Sequence, residues 1–260
     1  MSGIQPATLL DRLEAIGGSL AASGHALALI GLGSVGRETE RLDRWSDLDF
    51  FAIVEPGHKA RYIDDLGWLA AAHPLAWHFR NTADGHKALM ADGVFCEFAV
   101  FEPAELDAIA FAPGRVVWKR DGVPDAIASP RRALPGRALA SEEWIVGEAL
   151  SNLLVGLQRF RRGERLAAMR LVQVFAVDRL LELEALRHPE TDRGADPFAR
   201  ERRIEQRSAR LAAELTQLVP GVDRTPQAAQ AMLQALAARG AVLDASVVAR
   251  IHALSGPERA

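Results

Sequence analysis

The apolar positions change period along the chain, and the change divides it in two. Over residues 5–23, Leu9, Leu10, Leu13 and Ile16 fall on one stripe at helical spacing, which predicts a helix. Ala26 to Leu32 is a continuous apolar run and reads as a buried strand, with a short helix starting near Ser34. A second apolar run, Leu48 to Val54, predicts another strand, and Pro56-Gly57 breaks the chain after it. Residues 59–72 read as a helix and 75–80 as a strand. Asp92-Gly93 separates KALMA from VFCEFAVF, a hairpin signal. Alternation in that second arm puts Phe95 and Glu97 on one face and Cys96 and Phe98 on the other. Residues 115–119 predict a last strand.

The stretch SPRRALPGRA, 129–138, has two prolines, a glycine and no periodicity, and marks a domain boundary. Beyond it the pattern is helical almost to the end. Ser141 is placed to cap a helix with acidic residues in its first turn. Helices are predicted over 141–161, 165–187, 197–218, 225–238 and 243–254. The fold class is therefore α+β. A mixed-sheet domain with flanking helices covers residues 1–135, and an all-helical domain covers 136–260.

Composition narrows the picture. Of 260 residues, 49% are hydrophobic, enough for two cores. No apolar run is long enough for a membrane helix, and the N-terminus lacks the pattern of a signal peptide. Cys96 is the only cysteine, which excludes an intrachain disulfide and a cysteine zinc cluster and fits a reducing cytoplasm. A net charge of −3 argues against bulk electrostatic binding to nucleic acid. The sequence leaves the oligomeric state open.

The candidate chemistry lies in GLGSVGRETERLDRWSDLDFF. Asp47 and Asp49 stand two apart at a strand start, so both carboxylates share a face. Such a pair suits a hard cation such as Mg²⁺, which takes oxygen ligands and shares them with substrate phosphates. The small Gly33-Ser34 turn offers backbone N–H groups to phosphate oxygens.

This segment resembles the signature of the nucleotidyltransferase superfamily related to DNA polymerase β. Its local form, GR-x-T…WSDLDF, is similar to bacterial aminoglycoside and lincosamide adenylyltransferases. The likeness covers residues 31–54, about a tenth of the chain. The helical C-terminal half, with its Arg162-Gly163-Glu164 turn, is a weaker match. The resemblance implies a nucleotidyltransferase-type sheet domain that binds ATP or another NTP. A helical domain would close a cleft around a small-molecule hydroxyl acceptor. Gly33 and Ser34 would hold the β- and γ-phosphates, and Asp47 and Asp49 would bind Mg²⁺. It also implies a third carboxylate on a later strand, a metal ligand or a general base. Glu97 is the choice, because it sits in an apolar strand where a bare carboxylate is costly. Its extra methylene favours the base role, and a structural, edge-exposed Glu97 is the remaining reading.

The implied reaction is nucleotidyl transfer, AMP from ATP, to the acceptor hydroxyl, with antibiotic resistance as one setting. Transfer of AMP to a protein hydroxyl and a non-catalytic nucleotide-binding regulator are the alternatives. Arg37 is a phosphate contact or a helix-surface residue. Trp45 is expected to pack, and Ser46 to shape the turn into the Asp strand. His58, His73, His78, His86 and His188 show no ligand spacing and are assigned no zinc. Glu148, Asn152, Arg170, Gln173 and Asp178 interrupt apolar helix faces and are expected either to face the acceptor or to be solvated. The run 200–210 reads as a solvated helix face.

Overall fold

The computed structural model describes residues 4–132, 134, 140–196 and 198–256. The chain divides into two compact units, residues 1–136 and 137–260. Most of the proline-rich stretch 129–138, where the sequence marks a boundary, lies outside the described residues.

The first unit is built on a six-stranded mixed sheet. Its strands are β1 (Ala26–Gly31), β2 (Leu48–Val54), β3 (Leu75–Arg80), β4 (Gly85–Met90), β5 (Phe95–Phe101) and β6 (Arg115–Lys119), in the order β3-β4-β5-β2-β1-β6. Only β2 and β5 are parallel, with Asp49 opposite Glu97 and Phe50 opposite Phe98. A parallel pair needs a long crossover, and residues 55–94 supply it. That stretch holds α2 (Lys59–Asp64), α3 (Gly67–Ala72), β3 and β4. Asp65 and Leu66 interrupt the single helix predicted over 59–72. Asp65 Oδ1 accepts from the Gly67 N–H at 2.8 Å, a local bond that competes with helix propagation.

The two sheet faces differ, as period-2 alternation requires. One is covered by α1 (Pro6–Ala22), α2 and α3. Leu9, Leu13, Ile16 and Leu20 of α1 pack there with Phe50, Cys96, Phe98 and Val100, all buried. Phe50 and Phe98 stack with ring centroids 5.1 Å apart. The other face carries a smaller apolar cluster of Ile30, Ile53, Phe101, Leu106 and Phe111. Asp49 and Glu97 share this second face but precede that cluster along their strands, and both are half-buried.

The second unit is helical: α4 (Glu142–Arg161), α5 (Arg165–Met169), α6 (Ala176–Arg187), α7 (Ile204–Arg207), α8 (Ala209–Leu218), α9 (Thr225–Ala238) and α10 (Ala245–Ser255). Ser141 caps α4 by accepting from the Trp144 N–H. Arg170–Phe175 forms a π-helical turn between α5 and α6. Gln173 lies in it, 2% exposed, donating to the Gly221 carbonyl at 2.8 Å and to Thr225 Oγ1 at 2.9 Å. It is therefore a buried anchor rather than a solvated residue.

The helix predicted over 197–218 is broken into α7 and α8; along 200–210, Glu201, Arg202, Glu205, Gln206, Ala209 and Arg210 are exposed, while Arg200, Ile204 and Ser208 are buried. Arg200 is buried beside Asp192, and Arg207 donates to the Thr191 carbonyl at 2.7 Å. Arg239 is buried and paired with Glu184 and Glu214. These arginines place donors on backbone and carboxylate oxygens inside the unit, while Arg200 Nη1 and Arg207 Nε are buried without a partner among the described residues.

Candidate active site

The Gly-Ser segment follows β1 as a single 3₁₀ turn, Gly33–Val35. Gly33 has φ +51°, the left-handed region that side chains with a Cβ resist. The Gly33 carbonyl accepts from the Gly36 N–H at 3.0 Å and the Glu38 N–H at 3.1 Å. Gly31 permits a close approach: a Cβ there would lie 2.6 Å from the Val35 carbonyl oxygen. Among the described residues, the N–H groups of Gly33 and Ser34 donate to no backbone oxygen. Two donors at the tip of a tight turn are an arrangement that suits an anion.

This turn stands beside the aspartate strand. The Leu32 N–H donates to the Asp49 carbonyl at 2.8 Å, and a Cβ on Gly33 would sit 4.0 Å from Asp49 Oδ2. Asp47 immediately precedes β2, is half-buried and has no side-chain hydrogen bond or ion pair to a described residue. The turn before it is shaped by Asp43, whose Oδ1 accepts from the Trp45 N–H at 2.7 Å, while Ser46 Oγ accepts from the Asp43 N–H at 3.0 Å. That turn pushes Trp45 outward. It is 71% exposed with the Arg44 guanidinium 5.2 Å from its ring centroid, so the expected packing role is corrected. Arg37 Nε donates to the Gly114 carbonyl at 2.9 Å, which ties that side chain to the segment entering β6.

Glu97 is flanked by two polar neighbours. Lys87 Nζ lies 3.1 Å from Glu97 Oε2, and Asn81 Nδ2 lies 3.4 Å from Glu97 Oε1. The register explains the ion pair. Phe79, Lys87, Glu97 and Asp49 are successive partners across β3, β4, β5 and β2 and so share one face. Trp77 and Phe79 stand on the same face at the open edge of the sheet, half exposed, with ring centroids 5.0 Å apart. Behind this face, Cys96 is fully buried. Burial, with Asp47 and Asp49 among the nearby charges, pushes its thiol up to about 12.

The donor set fits a hard divalent cation. Asp47 and Asp49 offer carboxylate oxygens at the start of β2 beside a turn that suits an anion. The three carboxylates Asp47, Asp49 and Glu97 do not lie with ligand atoms mutually within 4.8 Å, and Glu97 is engaged by Lys87 instead. Asp49 and Glu97 are nonetheless register partners on adjacent strands. The sequence reading missed Lys87. Its signal was the hairpin register, because a turn centred on Asp92 pairs Lys87 with Glu97.

No family model matches the chain, and no curated protein matches it in sequence. The solved structures similar to it include these two. One is an aminoglycoside 6-adenyltransferase from Bacillus subtilis, 12% identical, with a TM-score of 0.33 over 95% of this chain and 97% of that one. The other is a nucleotidyltransferase-like protein from Exiguobacterium sibiricum 255-15, 13% identical, with a TM-score of 0.29 over 85% of this chain and 72% of that one.

Proposed function

We propose that the chain is a Mg²⁺-dependent nucleotidyltransferase that moves AMP from ATP to a hydroxyl of a small-molecule acceptor. The observation that carries this reading is the meeting of the Gly33 turn with Asp49, itself in register with Glu97. The sheet unit binds the nucleotide, and the helical unit provides acceptor contacts. Aminoglycosides and lincosamides are the acceptors implied by the likeness of residues 31–54.

The residues divide the chemistry between them. The N–H groups of Gly33 and Ser34, with the Ser34 hydroxyl, hold the terminal phosphate oxygens. Asp47 and Asp49 would hold Mg²⁺, which when bound supplies charge stabilisation to the phosphates. Glu97 takes the proton from the acceptor hydroxyl as its oxygen attacks the α-phosphorus, and pyrophosphate leaves. Lys87 and Asn81 orient the Glu97 carboxylate.

The deciding experiment incubates the protein with labelled ATP, Mg²⁺ and a panel of hydroxylated antibiotics, with mass spectrometry of the products. An acceptor heavier by one AMP, with stoichiometric pyrophosphate, is the expected outcome. ATP bound without pyrophosphate release across the panel and across protein acceptors would favour a nucleotide-binding regulator.

A further inference from the structure

A second cluster lies at the opposite end of β2. His25 immediately precedes β1 and Glu55 immediately follows β2; because the strands are antiparallel, the two meet. The Glu55 N–H donates to the His25 carbonyl at 2.9 Å, and the chain turns through Pro56-Gly57 so that the His58 N–H reaches the Glu55 carbonyl at 3.1 Å. His25 Nδ1 is 2.7 Å from Glu55 Oε2. The His25 and His58 rings stack with centroids 3.7 Å apart and planes 10° from parallel. One ligand atom from each of the three side chains lies within 4.8 Å of the other two, and all three residues are half-buried. Among the described residues, no other trio of His, Cys, Asp and Glu meets that condition.

Two features set this cluster apart from a plain ion pair. A second imidazole lies against the first, so two ring donors stand beside one carboxylate. The carboxylate is also pre-oriented. Arg120 Nη1 holds Glu55 Oε1 at 2.5 Å, and Arg120 Nη2 is fixed by the carbonyls of Gly24 at 2.9 Å and Ala26 at 2.7 Å. A ligand carboxylate steadied through its other oxygen is a recurring feature of protein metal sites. His58 sits in a turn, its ring rests against that of His25, and its side chain makes no hydrogen bond to a described residue.

We infer that His25, Glu55 and His58 form a three-ligand site for a borderline transition-metal ion of the zinc type, with a fourth position open to water. Two imidazoles and a carboxylate suit such an ion and not Mg²⁺, which prefers an all-oxygen shell. On entry of the ion, the proton shared by His25 and Glu55 leaves to solvent. The two ligand atoms then part from 2.7 Å to the roughly 3.3 Å separation that metal–ligand bonds of about 2.0–2.2 Å require. Six residues of extended chain, roughly 20 Å, separate Glu55 from Asp49. The site is thus distinct from the aspartate pair and does not depend on the proposed activity.

Calorimetric titration of the full chain with ZnCl₂, in excess MgCl₂, tests the inference. One zinc per chain is expected, with uptake unchanged by Asp49→Asn. His58→Ala should lower zinc affinity by more than the roughly 100-fold that loss of a group supporting a ligand can cost, and His25→Ala should do the same. Cobalt in place of zinc should give the wild-type protein the visible absorption of a four- or five-coordinate ion, a readout that requires no variant. Absence of zinc uptake, or uptake that persists in both histidine variants, would overturn the site.

Discussion

Asp49 and Glu97 are direct partners across the parallel β2–β5 pair, one carboxylate beside the other on the same sheet face. Parallel register brings both near the starts of their strands and so to one edge of the sheet. The Gly33 turn reaches that edge from β1.

Asp49→Asn should abolish nucleotidyl transfer, and Asp47→Asn should do so as well. Each loses a hard oxygen ligand, and several kcal/mol of charge stabilisation goes with the cation. Asp47 has no side-chain partner among the described residues, so its variant should melt at or above the wild-type temperature without Mg²⁺. Product formation and calorimetric unfolding check the two halves. Wild-type turnover in both variants would remove the pair from the site.

Ser34→Ala should weaken ATP binding about tenfold, the loss of one hydrogen bond to a charged oxygen at about 1.5–3 kcal/mol. Gly33→Ala should also destabilise the fold by about 1–2 kcal/mol, because φ +51° is costly with a Cβ. Titration with a non-hydrolysable ATP analogue and urea unfolding measure these effects. Equal stability of Gly33→Ala and wild type would contradict the left-handed turn.

Glu97→Gln keeps the side chain's shape and loses proton acceptance. The rate of the chemical step should fall about 10²–10⁴-fold with MgATP affinity nearly unchanged. A parallel loss of MgATP affinity would point to a metal-ligand role instead. Lys87→Met should lower the same rate by up to about 10²-fold through misplacement of Glu97, and Lys87→Arg should restore part of it. Rapid-quench kinetics on the three variants decide between the roles.

Asp92 provides a pH-dependent test of the fold. Burial pushes its carboxyl up, but the Arg12 hydrogen bond, the Val94 N–H and nearby charge outweigh burial, so it lies below its ordinary 3.8. A lowered carboxyl contributes stability that is present above the unfolded value and lost as pH falls through the folded one. The Arg12–Asp92 contact, 2.7 Å long, ties α1 to the β4–β5 turn. Arg12→Gln should therefore lower the urea midpoint at pH 6, and the gap from wild type should close below pH 3.8. A gap that stays constant down to pH 2 would contradict the linkage.

Much of the sheet unit was legible because its signals are local. The limits of β2, the Asp92-Gly93 turn and the alternation of Phe95 to Phe98 all follow from side-chain period and turn chemistry. What was missed depends on tertiary context. Trp45 was expected inside and is outside, because an Asp43 side chain directs its turn. Gln173 and Arg207 were read as exposed or acceptor-facing, yet each is held by carbonyls remote in sequence. The His25–Glu55–His58 group was invisible to ligand spacing, since antiparallel pairing of β1 and β2 assembles it. The fragmented 197–218 segment shows the same limit, for apolar period alone does not report that Ser208 ends α7 and caps α8.

The parallel β2–β5 pair has a consequence for the order of folding. Antiparallel neighbours can zip outward from a turn, but β2 and β5 can join only after residues 55–94 have closed a long loop. The Asp49–Glu97 edge is therefore a late product of collapse rather than an early nucleus. Nascent or damaged chains would regain helix and hairpin signals before they regain the carboxylate edge. Substitutions in α3, such as at Trp68, which packs edge-on against Phe50 and Phe98, would then delay catalytic competence from a distance.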